Sequence, residues 1–400
     1  IAGVTMPIDR RAYRDLLRRE RGQVIRHSST DVLNVSVTLL SGKHAGNFAL
    51  AHDMHMRDFC KKLADATGIP EGWLRLVSGD VVIPTNTSIG LSGLKNGMCL
   101  CLLSVKTTLV VTTSFDRSAK IWDLSSGICL QTLAPHAGCV WSAALSPDRR
   151  LVISADGDST AKLWDVDSKQ CLQVLRGHSR FVKAVAFSPA GTIVATGSQD
   201  RSARLWDVVT AKCMQVFLHA DCVQSVAFTL SGSHIATACW DYTARLWDVT
   251  SGCLTHALEG HSGLLWSIRL SGDGMKAMTA SADRTVKVWK LDIGTCTYTF
   301  RGHRMAVRCA DFSPDATRAV SASEDGDVHM WNMSSESPEC MVLHWSGGAV
   351  TSAVFSPDGT QVITGHEDRS VNVWDARSGD IQHTFRGHKG GVLSVAVSSV

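Results

Sequence analysis

From residue 109 onward, short apolar runs alternate with polar turns at a steady beat. Val182, Val185 and Phe187 mark one half-buried strand, and Val223, Val226 and Phe228 mark another. Turns containing Pro147, Pro189, Pro314 and Pro357 follow several such strands. Seven tryptophans punctuate the stretch, Trp122, Trp164, Trp206, Trp247, Trp289, Trp331 and Trp374, at separations of 42, 42, 41, 42, 42 and 43 residues. Six residues before each stands an aspartate: Asp116, Asp158, Asp200, Asp241, Asp283, Asp325 and Asp368. Four residues before each aspartate is a hydroxyl: Thr112, Ser154, Thr196, Thr237, Thr279, Ser321 and Thr364. Three coincident series over seven units define a repeat with four short strands per unit. One unit alone exposes sheet faces and edges, so neighbours must stack, and closing the ring removes the loose ends.

Counting strands predicts how the ring closes. After Trp374 come an outer strand near residues 381–385, then Gly387 and His388, then one more inner strand, Val392–Val397. The unit ending at Trp122 has strands near residues 109–113 and 119–122 but no Gly-His pair and no inner strand of its own. The two partial units are complementary. Val392–Val397 is therefore expected to supply the innermost strand of the first unit, and His388 the histidine opposite Asp116. The alternative is a chain cut short at Val400, with an eighth unit missing.

These residues resemble the WD-repeat family over nearly three quarters of the chain. Five units carry the literal Trp-Asp pair, whereas Trp289 is followed by Lys290 and Trp331 by Asn332. The resemblance implies a seven-bladed β-propeller over residues 109–400. It also implies a buried chain of histidine, hydroxyl, aspartate and tryptophan in each blade. His136, His178, His219, His261 and His303 suit that role, each 28 residues before its tryptophan. The unit ending at Trp374 departs, with Ser346 at the matching place and His344 two residues off, so its blade is expected to be the least rigid. Histidine–aspartate pairs resemble catalytic dyads, but recurrence blade after blade marks them as a structural network.

Residues 31–104 follow a different pattern. Strands are expected over 35–40 and 48–51 around the turn at 41–43, and again over 73–77 and 98–103. Between them Asp53 caps a helix with Met56, Phe59, Cys60 and Leu63 at helical spacing, ended by Gly68, Ile69 and Pro70. With the turn at Asn96 and Gly97, this order resembles the ubiquitin-like β-grasp family. Residues 98–103 also stand where repeat spacing would place an inner blade strand, but the Asn-Gly lead-in assigns them to the small α+β domain. Residues 104–108 run into the repeats without a free diglycine tail, which argues against a conjugated modifier. Val77 and the last strand offer either a docking surface or interior packing.

Residues 1–30 carry seven arginines from Arg10 to Arg26 against three acids, with Tyr13, Leu16 and Leu17 as a weak apolar face. A solvated, partly ordered arm is the favoured reading, and a basic segment meeting membrane or nucleic acid the alternative.

The formal charge of the chain is only +3, which disfavours nucleic acid as the main partner. No apolar run is long enough to span a membrane as a helix. Six of the 13 cysteines recur after the tryptophans, at Cys129, Cys171, Cys213, Cys253, Cys296 and Cys340. That recurrence puts them on different blades and points to free thiols in a reducing compartment, the cytoplasm or alternatively the nucleus. No metal-ligand spacing, phosphate loop or activated nucleophile is present, so neither cofactor nor catalysis is expected.

Function must then come from exposed surface. Three positions per blade, at the entrance to the inner strand and in the turn between second and third strands, should face one rim. They give Phe115, Trp141, Phe181, Trp240 and Trp266 on the first five blades and Glu324 and Glu367 on the last two. Aromatic clusters of this kind are interface anchors. The expected function is a scaffold or adaptor, monomeric alone, that binds protein or peptide partners within a multiprotein assembly, with the glutamates selecting a basic feature. The alternative is a substrate receptor of a cullin-type ubiquitin ligase. It rests on one Trp-Asp-x-Arg match, Trp374 to Arg377, where the Arg377 guanidinium would contact an adaptor carboxylate.

Overall fold

The computed structural model describes residues 32–39, 44–51, 54, 56–67, 74–78, 81–82, 98–104, 108–334 and 339–398. The basic arm over 1–30, the turns at 41–43 and 96–97, Asp53 and the break at 68–70 lie outside them. The chain divides into two compact units, residues 1–106 and 107–400.

In the first unit, β1 (Val32–Leu39) and β2 (His44–Ala51) form an antiparallel hairpin, followed by α1 (Met56–Thr67). Then come β3 (Leu74–Ser78), β4 (Val81–Val82) and β5 (Met98–Ser104), and the sheet order is β2-β1-β5-β3-β4. β5 lies parallel to β1 and antiparallel to β3, so residues 98–104 belong to this sheet and not to a blade. Val35, Val37, Leu50, Phe59, Cys60 and Leu63 are buried together, with Phe48 edge-on to Phe59. The helix turns Asp58, Lys61, Lys62 and Asp65 outward, as an amphipathic helix on a sheet must.

The second unit consists of seven four-stranded antiparallel sheets. The first blade takes its innermost strand from the C-terminal segment: Val392–Val397 pairs with Leu109–Ser114, then come Ala119–Asp123 and Cys129–Leu133. The expected closure is therefore present, and the other six blades each run inner to outer in chain order. Each of the seven blade junctions holds its own apolar core. In one, Leu163 and Leu175 of the second blade meet Val185 and Trp206 of the third. The seventh joins Ile363, Val373 and Phe385 of the last blade to Val110, Trp122 and Val395 of the first. Burying a large aliphatic or aromatic side chain contributes about 1.5–3 kcal/mol, so no blade can leave the ring without exposing two such cores.

The polar chain expected in each blade is complete in four. Around Trp206, the indole N–H donates to Thr196 Oγ1 at 2.9 Å. His178 joins Thr196 through Nε2 at 2.7 Å and Asp200 through Nδ1 at 2.8 Å. The same chain links Trp122, Thr112, His388 and Asp116, then Trp289, Thr279, His261 and Asp283, and Trp331, Ser321, His303 and Asp325. One proton order satisfies every group: the indole donates to the hydroxyl, the hydroxyl to Nε2, and Nδ1–H to the carboxylate.

In the other three blades the structure corrects the sequence reading. His136 and His219 keep their hydroxyls Ser154 and Thr237, but Asp158 is taken by Thr160 and Lys162, and Asp241 by Thr243 and Arg245. The four complete blades have glycine before the histidine, and these two have Pro135 and Leu218. Gly177 and Gly302 sit at φ of 154° and 150°, and a Cβ on Gly177 would meet Arg204 and Trp206 at about 3 Å. In the two blades without that glycine the imidazole makes no bond to its aspartate. For the seventh blade, His344 is not in place: it ends the outermost strand of the sixth blade and binds Asp327 of that same blade at 2.7 Å. His366, inside the second strand, takes over by joining Thr364 at 2.7 Å, and Thr364 accepts the Trp374 indole at 2.7 Å. Asp368 holds Ser370.

Candidate interaction site at the mouth of the central cavity

One local irregularity recurs in every blade and builds the site. The register between inner and second strands skips one residue near the start of each inner strand. The skipped residues are Leu393, Trp141, Lys183, Gln224, Trp266, Arg308 and Thr351. An extra residue in one strand bends it and re-aims the side chain, and all seven line a central cavity of about 880 Å³. A second tier comes from the turn between second and third strands. The N–H groups of Phe115, Trp240, Glu324 and Glu367 each donate to the carbonyl of the facing turn, those of Gly391, Cys222, Ala306 and Ala349, at 2.9–3.1 Å. These four residues thus hold one equivalent position in different blades. Phe181 comes from the facing turn itself, where its carbonyl accepts Gln199 N–H at 2.9 Å.

Of the seven rim residues read from the sequence, Phe115, Trp141, Trp240, Trp266 and Glu367 line the cavity. Phe181 and Glu324 stand beside it, next to Lys183 and Arg308 respectively. Phe115 and Phe181 are 45% and 44% exposed, whereas the three tryptophans are only half-buried. Their rings lie edge to face, Phe115 on Trp141 at 5.8 Å and Trp240 on Trp266 at 5.6 Å. The indole N–H groups of all three are buried with no acceptor among the described residues. They are packed walls of the mouth, with the two phenylalanines as its free apolar edges.

The sequence reading missed the cations. Lys183 Nζ sits 3.0 Å from the centroid of the Trp141 ring, and the Arg308 guanidinium 3.8 Å from that of Trp266. Both are cation–π contacts with a partly desolvated charge. Arg308 also forms an ion pair with Glu324, so that carboxylate is already matched and does not select a basic ligand by itself. Glu367 is the exposed one of the two. Burial pushes the Lys183 ammonium down to about 8. Deeper in the cavity, Asp311 accepts Phe355 N–H at 3.2 Å. Burial drives its carboxyl up to about 6, although Arg269 and the backbone of Phe355 and Phe312 pull the other way.

The third residue of each inner strand is small, and two serines at this position tie neighbouring blades together. Ser225 Oγ accepts Ile268 N–H at 3.2 Å, and Ser352 Oγ accepts Val395 N–H at 3.2 Å. These bonds join the inner strands of the fourth and fifth blades and of the seventh and first.

Arg377 lies elsewhere. It follows the third strand of the seventh blade, where Ala376 N–H bonds Thr360 in the turn after the inner strand. That turn is at the end of the strand remote from Thr351 and the mouth. Asp375 accepts the Arg377 backbone N–H at 2.8 Å, and the side chain is exposed. The six recurrent cysteines fall at the starts of the outermost strands as free thiols on separate blades. Among the described residues no three His, Cys, Asp or Glu side chains gather to hold a metal, and no helix is long and apolar enough to cross a membrane.

Residues 92–123, 127–165 and 169–207 match the family described as WD domain, G-beta repeat. Residues 222–400 match the family described as IFT122 first beta-propeller. The chain carries a seven-bladed WD40-type β-propeller. The match from residue 92 runs across β5, yet in this WD40 propeller the innermost strand of the first blade is Val392–Val397. Repeat spacing alone points at β5, and hydrogen bonding selects the C-terminal strand.

Proposed function

We propose that this chain is a non-catalytic scaffold or adaptor that binds a protein or peptide across the mouth of the propeller. The observation that supports the reading most is convergence. Seven bulged residues and the neighbouring turn residues aim at one opening, and its free edges are exposed phenylalanines. Exposed aromatics around a concave centre are where binding energy concentrates. The ubiquitin-like assignment of residues 31–104 and a reducing compartment belong to the same proposal. The ligase-receptor alternative has Arg377 as its single support. Arg377 is exposed at the other end of its blade, so a contact there would leave the mouth free.

The test is affinity capture from extract of the source cells with three baits: wild type, Phe115→Ser/Phe181→Ser, and Arg377→Glu. Both substitutions change exposed side chains, and thermal unfolding checks that the fold is kept. The expected outcome is a set of partners lost, at least tenfold, with the double mouth variant and retained with Arg377→Glu. Equal recovery by all three baits would refute the mouth as the docking face, and selective loss with Arg377→Glu would favour the ligase reading.

A further inference from the structure

Among the described residues, Lys183 is the mouth cation that has no carboxylate partner. It is the bulged residue of the third blade, it is only 9% exposed, and it lines the central cavity. A cation withdrawn this far from water normally carries a carboxylate partner. Arg308, the other bulged cation, has one in Glu324. The groups acting on Lys183 are different: the rings of Trp141 and Phe181, the thiols of Cys139 and Cys222, and the positive charge of Arg308. Burial pushes the Cys222 thiol up to about 12, so it stays neutral and supplies no counter-charge. The indole face offsets part of the desolvation of the ammonium, yet it offers no hydrogen-bond acceptor. Around it Trp141, Trp240 and Trp266 add three more N–H groups without acceptors. The aromatic side of the mouth is therefore rich in donors and short of acceptors.

Across the ring the balance reverses. Glu367 is exposed on the seventh blade, and Glu324 and Asp311 belong to the sixth. An occupant positively charged throughout would meet Lys183 and Arg308, and one without charge would leave the ammonium unpaired.

From this arrangement we infer that the mouth recognises an acidic side chain of a partner peptide, whose carboxylate pairs with Lys183 between Trp141 and Phe181. The carboxylate supplies the missing acceptor, and the apolar flanks of the peptide cover Phe115 and Phe181. Closing that pair away from water makes it sensitive to the loss of either partner. This inference rests on the reading of the mouth as the docking face.

Four fluorescent heptapeptide pools, random except for a central Glu, Gln, Lys or phosphoserine, are titrated into the whole chain, with anisotropy as the readout. The Glu pool should bind at least tenfold more tightly than the Gln pool. Lys183→Met should bring the two within about twofold of each other, and Lys183→Arg should keep the preference. Pools that bind, lose affinity with Phe115→Ser/Phe181→Ser and show no preference for Glu overturn the inference while leaving the docking face intact. Tighter binding of the Lys pool overturns it, and binding of the phosphoserine pool in place of the Glu pool overturns the carboxylate assignment. Binding unaffected by the double mouth variant, or no binding by any pool, overturns both.

Discussion

Several buried imidazoles of the propeller are held neutral by burial, and acid is what disturbs them. His219 and His366 are held down at about 4 against an ordinary 6.5, with burial as the first cause in each, and so is His329, which lies outside the chain of its blade and stacks on His303 at 3.8 Å. Between those values the unfolded chain binds more protons than the folded one, so stability rises with pH and drains away on acidification from pH 6.5 to 4. Forcing one such imidazole to charge in place costs on the order of 3 kcal/mol. A second window lies lower. Burial raises Asp116, but Ser118, Lys389 N–H and His388 outweigh it and hold the carboxyl at about 2 against 3.8. Asp200 and Asp283 are lowered likewise, with hydrogen bonds from His178 and His261 overcoming burial. Their contribution is present above about pH 4 and lost as pH falls through the folded values. The melting temperature should therefore fall in two stages, from pH 6.5 to 4 and again below 4, and His366→Gln should shrink the first. A melting temperature flat from pH 7 to 4 would contradict this assignment. Part of it was open to view in the sequence, because Pro135 and Leu218 replace glycine in the two blades whose histidine and aspartate do not meet.

The inner strand carries most of what the propeller uses, and its pattern has a hidden irregularity. Val182 and Val185, like Val223 and Val226 or Val392 and Val395, stand three residues apart, and each pair is buried. A strand with a two-residue period cannot put such a pair on one face unless one residue between them is extra. Reading the run as plain alternation conceals the bulge, and with it Lys183 and Arg308. Spacing three therefore marks the bulge, but only the ring tells which way it points. Closure, by contrast, was legible from strand counting alone, since one partial unit lacked what the other supplied. A chain ending at residue 387 would leave Leu109–Ser114 as an open edge and uncover Val110 and Trp122. The expected result is loss of the single cooperative melt, together with self-association. The same melting temperature in a monodisperse truncated protein would show that the C-terminal strand does not hold the ring.

At the scale of the molecule, seven near-equal blades build a ring whose two ends differ. The end holding the bulged residues gathers the aromatics, the two cations and Glu367. The other presents turns such as those at Pro147 and Pro189. The sequence located the aromatic positions through the repeat, but not that Trp141, Trp240 and Trp266 would be walls or that Glu324 would be spent on Arg308. The walls depend on contacts between blades, which no single repeat contains, and the Arg308–Glu324 pair on a bulge inside one blade, which plain alternation conceals. The most direct test of docking at the mouth is site-specific photo-crosslinking. A benzophenone side chain at Gln224 or Thr351, inside the mouth, is compared in cell extract with one at Arg377, beyond the far turn. The expected result is the same crosslinked partner from both mouth positions and none of it from position 377. Crosslinks from position 377 alone, with both mouth positions silent, would contradict the account.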